Sequence, residues 1–331
     1  MLSHTRKIAS GLRDQLRRTL RRGPAPAVLM YHRIAEEPFD PWGLAVAPAR
    51  FKEQLEWLAR NRQPLSLREF AELHRRRRLP PEAVAITFDD GYACASEIAA
   101  PLLREFGIPA TVFLPVDLIE RRQAFWWDEL EEIVLDYDGA SLHLGGEEIA
   151  VGQAHAADRR WEPRSEPGTP RQRAFGEILN LITRRKPAER DRIMDELRGQ
   201  ARRANDLPAS KRPMTPEQVR IVARQFEFGS HTRTHPWLSD LNPAEQMDEI
   251  GGSVDRLEAL TGSRPSTFAY PYGMWSEQSR DLVRAAGFGC ACTTGERAVS
   301  NRSHTLSLPR VRGGNWDSAG LEQALSRVLS A

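Results

Sequence analysis

The chain has 331 residues, enough for one barrel-sized domain or two of ordinary size, each with a full core. Its 47 Lys and Arg are nearly matched by 45 Asp and Glu, and a net charge of +2 excludes the basic excess of a dedicated nucleic-acid binder. Cys94, Cys290 and Cys292 make no paired framework, and a Cys-x-Cys step lacks the partners of a zinc site, so all three read as buried thiols.

Residues 1–25 form a basic leader, helical or disordered, that ends at the punctuation Gly23-Pro24-Ala25-Pro26. The arginines between Arg6 and Arg22 read as a solvated face, with contact to a membrane surface as the alternative. No apolar core of signal-peptide length follows them, so neither a secretory signal nor a membrane span is expected, and the default location is cytoplasmic. The folded domain is expected over residues 26–331.

Ala27 to Tyr31 is an unbroken apolar run, as in a strand buried on both faces of a parallel sheet, and His32 stands at its C-terminal end. Phe51, Leu55 and Leu58 share one helical face, and Ser66 with Glu69 has capping-box spacing for a second helix through Leu73. Val84 to Phe88 is the next strand, followed by a helix bearing Ile98, Leu102 and Leu103 and by a strand from Ile108 to Leu114. Strand, helix, strand is the βαβ pattern of an α/β fold.

The character changes over about 121–212, a polar, proline-marked stretch with helical patterns at Phe175 to Ile182 and Ile193 to Leu197, which we read as an insertion. Phe125-Trp126-Trp127-Asp128 opens it; such tryptophans fill a core more readily than they stack on a sugar ring, and Trp127 is kept as a candidate for substrate contact. The alternation then resumes with a helix at Pro216 to Arg224, a strand at Phe226 to Gly229, a helix from Pro243 to Leu260 and a strand at Thr267 to Tyr270. Gly289 to Thr293 and Leu306 to Val311 read as closing strands, with a final helix at Leu321 to Leu329.

Three motifs stand where strands run out, which is where barrels place catalysis. Asp89 and Asp90 are adjacent carboxylates before Gly91; they are either a helix cap with a solvated acid, or the base and ligand of a site that holds a cation. His231 and His235 are four apart, so in a helical turn their imidazoles face the same way, as two ligands of one metal do; a chance surface pair is the alternative. A divalent ion held by one carboxylate and two imidazoles keeps positions open for water and substrate, and hydrolysis is its natural use. In Tyr270-Pro271-Tyr272-Gly273, proline and glycine fix a tight loop at the same mouth.

Taken in order, Thr87-Phe88-Asp89-Asp90-Gly91-Tyr92, His231-Thr232-Arg233-Thr234-His235 and Tyr270-Pro271-Tyr272-Gly273 resemble the polysaccharide deacetylases of carbohydrate esterase family 4. The similarity runs from about Ala27 to Trp316. It implies an α/β fold, a distorted (β/α) barrel of about seven strands with a helical insertion. It further implies a divalent ion, Zn2+, held by Asp90, His231 and His235, with Asp89 as general base and the Tyr272 backbone N–H facing the oxyanion. The implied partner is an N-acetylated carbohydrate, whether polysaccharide, oligosaccharide or glycan precursor, which loses its acetyl group as acetate.

Two positions depart from the family pattern. The arginine that many members carry two residues before the motif proline is Ala269 here, and Arg310 is the candidate to restrain Asp89 instead, with an ordinary ion pair as the alternative. The late histidine that serves many members as general acid has His304 as its nearest counterpart, in a polar loop. His32 resembles a Tyr-His pair of one branch of the family and is either pocket-lining or a satisfied buried histidine. Two other functions stay open: the same chemistry on a small non-polymeric biosynthetic intermediate, and a non-catalytic carbohydrate-binding homologue.

Overall fold

The computed structural model describes residues 23–120, 125–161, 165–201 and 207–328; the expected basic leader lies, up to residue 22, outside the described residues. In chain order the strands are β1 (Ala27–Tyr31), β2 (Arg33–Ile34), β3 (Ala45–Val46), β4 (Gln63–Pro64), β5 (Ala83–Phe88) and β6 (Ala110–Leu114). They continue with β7 (Ser141–Leu144), β8 (Glu147–Ala150), β9 (Glu227–Ser230), β10 (Thr267–Ala269), β11 (Cys290–Cys292) and β12 (Val311–Arg312).

Among the described residues, seven strands pair in the order β11-β10-β9-β6-β5-β1-β12, every neighbour parallel, with β4 added beside the start of β5. The two ends of this order approach each other: Leu308 bridges Cys292 of β11, and three residues later Val311 pairs with Leu29 of β1. The sheet thus curls into a distorted (β/α) barrel whose last extended segment touches both edges.

Because successive side chains of a strand face opposite ways, each buried strand feeds two cores. Val28, Ala85, Phe113, Ala269, Cys290, Cys292 and Leu308 fill the barrel interior, so the three cysteines are free thiols and two of them are part of that filling. Leu29, Tyr31, Ile86, Phe88, Val112 and Leu114 point outward onto helices that bring Phe51, Leu55, Leu103, Val219 and Leu257. Each such side chain taken from water contributes roughly 1.5–3 kcal/mol, which makes this two-sided burial the main support of the barrel.

The long helix Pro243–Thr261 begins where Asn242 accepts from Ala244 and Glu245 while Glu245 reaches back, and it ends at Gly262 with φ of 76°. Between β6 and β9 the chain builds a satellite core: the helices Trp126–Leu135, Pro170–Thr183 and Pro187–Gln200 and the hairpin β7–β8 enclose Phe125, Leu130, Trp161, Phe175, Ile178 and Leu197. The hairpin has no counterpart in the sequence reading, since its exposed glycine turn at Gly145-Gly146 sits inside a polar stretch. No helix among the described residues is long and apolar enough to cross a membrane.

Two local expectations are corrected. Leu306 to Val311 is not one strand: Thr305–Ser307 is a short helical turn and Pro309 has no N–H to donate, so pairing is confined to Leu308 and then to Val311–Arg312. His231 and His235 do not share a helical turn; they lie on a loop after β9 in which Thr232 and His235 both take positive φ, 67° and 56°.

Candidate active site

Asp89 is the first residue past β5, and strand alternation carries it, after Ala83, Ala85 and Thr87, into the barrel interior. There the fully buried Arg310 meets it through two hydrogen bonds, Nη1 to Oδ1 at 2.6 Å and Nη2 to Oδ2 at 2.7 Å. Arg310 Nη1 also donates to Thr87 Oγ1 at 3.1 Å and Nε to the Thr293 carbonyl at 2.8 Å, so the guanidinium plane is fixed by both walls. Burial on its own raises the Asp89 carboxyl; the Arg310 charge, His231 and the Arg310 hydrogen bonds bring it down to about 2.

Asp90 and Gly91 follow with φ of 67° and 75°, a turn in which a Cβ on Gly91 would stand 2.3 Å from Leu114 Cδ2. Burial, and then the charges of Asp89 and Asp128, push the Asp90 carboxyl well above the usual carboxylate range. Asp90 is neither a solvated acid nor an ordinary helix cap: it is a buried carboxylate that faces His231 and His235 and, among the described residues, makes no ion pair with an arginine or lysine.

The histidines supply the facing groups. His231 Nδ1 lies 2.7 Å from the Ala269 carbonyl, and a proton on that nitrogen leaves the Nε2 lone pair 3.7 Å from Asp90 Oδ1. His235 Nε2 lies 3.5 Å from the same oxygen, and its Nδ1 is buried with no hydrogen-bond partner among the described residues. Burial lowers the proton affinity of both rings, which keeps them neutral. One ligand atom from each of Asp90, His231 and His235 falls within 4.8 Å of the others. A carboxylate and two neutral imidazoles, all buried and converging, fit a divalent metal ion.

Aromatic side chains pack around His235. Tyr272, at φ of 57°, sets its ring edge-on to His235 at 4.6 Å and stacks on Trp237 at 4.6 Å. Trp127 packs into the satellite core against Phe125 and also reaches His235, ring centroids 4.9 Å apart. Its Nε1 donates to Tyr92 Oη at 2.9 Å, Tyr92 donates to Asp128 Oδ2 at 2.6 Å, and Asp128 Oδ1 lies 3.3 Å from Arg33 Nη1. Burial pushes Asp128 up to about 6 against the opposing pull of Arg33 and Tyr92.

The two other candidate histidines part company. His32, one residue past β1, is brought beside Asp89, Arg310, Arg312 and His231, and burial lowers its proton affinity to about 3 in spite of Asp89. His304 is exposed; its Nδ1 accepts from the Leu306 N–H, and its charged neighbours are Arg280, Asp281 and Arg284 rather than the Asp–His cluster. Trp237, Asp128 and Arg33 were not singled out from the sequence, although Trp237 is two residues past His235 and Arg33 follows His32 directly.

A polysaccharide deacetylase family model matches residues 76–139 and 200–291, leaving unmatched a stretch inside the expected insertion. YxkH of Bacillus subtilis, named as a polysaccharide deacetylase, is 31% identical over 288 residues, covering 86% of this chain and 70% of that protein. The chain belongs to the polysaccharide deacetylase family. Its family likeness extends to the poly-beta-1,6-N-acetyl-D-glucosamine N-deacetylase of Escherichia coli K12, 30% identical over 123 residues, or 32% of this chain. This polysaccharide deacetylase homologue spans only 18% of that enzyme's length. The fold is shared with the Streptococcus pyogenes deacetylase PplD, solved in complex with acetate, at TM-score 0.59 and 18% identity over 92% of this chain and 99% of that one.

Proposed function

We propose that the chain hydrolyses the acetamide of an N-acetylated saccharide with the help of a divalent ion, zinc, held by Asp90, His231 and His235. The observation that carries this reading is the pairing, in one buried pocket, of that three-residue donor set with a carboxylate, Asp89, that is pinned separately by Arg310. Relatives named for N-deacetylation of saccharides support the choice of substrate class.

When bound, the ion would polarise the acetamide carbonyl and make water more acidic, which is the Lewis-acid chemistry this donor set suits. Asp89, held ionised and in a fixed plane by Arg310, takes the proton of the attacking water. The Tyr272 backbone N–H serves the developing oxyanion, and the Tyr272 and Trp237 rings wall the pocket against bulk water. The proton that Asp89 has taken from water then passes to the departing nitrogen, with His32, beside Asp89 and neutral before the reaction, as its relay. The C–N bond breaks to give acetate and the free amine.

Acetate release is measured against N-acetylated polymers, oligosaccharides and sugar nucleotides, with metal content assayed on the same sample. Asp89→Asn is expected to abolish release with metal retained, and His231→Ala to lose both; unchanged release in either variant sinks the assignment. The panel also separates a polymer substrate from a small intermediate.

A further inference from the structure

The loop that carries both histidines has two non-glycine residues at positive φ, Thr232 and His235. Left-handed backbone costs such residues roughly 1–2 kcal/mol each, so the conformation persists only where its surroundings over-determine it. A full account of its backbone partners shows what does so.

On the amide side, His231 donates to the Leu114 carbonyl, Thr232 to Ser230 Oγ, and His235 to Thr232 Oγ1. The Arg233 and Thr234 amides both donate to Glu249 Oε2 at 2.9 Å, and Thr234 Oγ1 donates to Glu249 Oε1 at 2.6 Å. On the carbonyl side, Thr232 Oγ1 donates to His231, and the Val116 and Asp117 amides to Thr232 and Arg233. The last two carbonyls belong to one residue: Arg190 donates from Nη2 to Thr234 at 3.0 Å and from Nη1 to His235 at 3.4 Å.

Arg190 stands on the helix Pro187–Gln200 of the satellite core, is buried, and passes over the Trp126 ring at 5.9 Å. Among the described residues, every other hydrogen-bond partner of this loop comes from the barrel, its flanking helices or the loop itself. We propose that Arg190 and Glu249 are positioning residues that clamp the loop from opposite sides, so that the insertion helps to set His235 rather than merely bordering the substrate. This rests on the reading of His231 and His235 as metal ligands.

The test uses the full chain freed of metal with a chelator and titrated with zinc against a chromophoric competitor. Arg190→Met and Glu249→Gln are each expected to weaken zinc binding about 10–100-fold, with Arg190→Lys, which keeps a donor for one carbonyl, in between. The melting temperature of each metal-free variant is read alongside, because a merely structural role lowers it while leaving the zinc affinity of the folded molecules unchanged. If Arg190→Met does not fold, Arg190→Lys and Glu249→Gln carry the test. Wild-type affinity in the folded Arg190 and Glu249 variants, with binding lost in His231→Ala, overturns the clamp. Undiminished binding in His231→Ala overturns instead the assignment of the ligands.

Discussion

Arg310 and Asp89 meet in the barrel interior as a planar, bidentate pair with neither partner open to solvent. Truncating one member of such a pair strands the other as a buried charge, at a cost of about 3–5 kcal/mol. Arg310→Met is therefore expected to lower stability by that amount in a urea titration and to slow acetate release about 100-fold or more while metal stays bound. Arg310→Lys, a point charge without the fork, is expected to recover stability better than rate. The two histidines make a second contrast. His32→Gln should reduce kcat by about 100-fold or more, whereas His304→Gln, on a residue occupied with a local turn, should leave it within about twofold.

At this scale much of the site was legible. Strand-end position singles out Asp89 and Asp90, the family motifs tie them to His231 and His235, and the alanine at 269, where many members have arginine, points to Arg310 as the partner of Asp89. Ala269 keeps a part through its backbone alone, since its carbonyl faces His231 Nδ1. Glu249 and Arg190 leave no such trace: each is an ordinary charged residue on a helix, and the loop groups it holds are backbone amides or carbonyls together with one threonine hydroxyl, whose positions no side-chain pattern encodes.

Among the elements, strands with both faces buried were easy to find because they are continuous apolar runs, and β1, β5 and β6 fall close to their expected ends. The hairpin β7–β8 was hidden because only Leu142, Leu144 and Ile149 of its eight residues are buried. The spacing of His231 and His235 suggested a helix, yet four residues of strained loop achieve the same convergence. The satellite core has its own keystone in Arg171, which donates to the carbonyls of Val134, Leu135, Tyr137 and Gly152 and so covers the exposed end of the helix Trp126–Leu135. Arg171→Met would leave those acceptors unpaired, a loss on the order of 3 kcal/mol. Hydrogen exchange is expected to quicken across 125–201 and to remain slow in β1, β5 and β6; uniform acceleration would show that the satellite and the barrel open together.

For the molecule as a whole, a site assembled from the ends of β5, β9 and β10 couples its occupant to the entire barrel. An ion bound only by the folded state adds stability by mass action, about 2.7 kcal/mol at a hundredfold excess over its Kd. Zinc added to metal-free protein is expected to raise the melting temperature in a concentration-dependent way, and the rise should vanish in His231→Ala. A shift that survives that substitution would place the stabilising ion elsewhere.

The segment that joins the two edges of the barrel has a consequence for how the protein is made. Asp89 and Arg310 are 221 positions apart, so at roughly 5–20 residues per second a ribosome delivers the carboxylate some 10–45 s before its guanidinium. Throughout that interval the nascent chain holds Asp89 without the charge that makes burying it tolerable. The barrel interior is therefore expected to stay open around its acid until Leu308 to Arg312, which pairs with both edges, has docked. Chains halted before that point are expected to be open, protease-sensitive and silent in an acetate-release assay, so that turnover reports the arrival of the last strand.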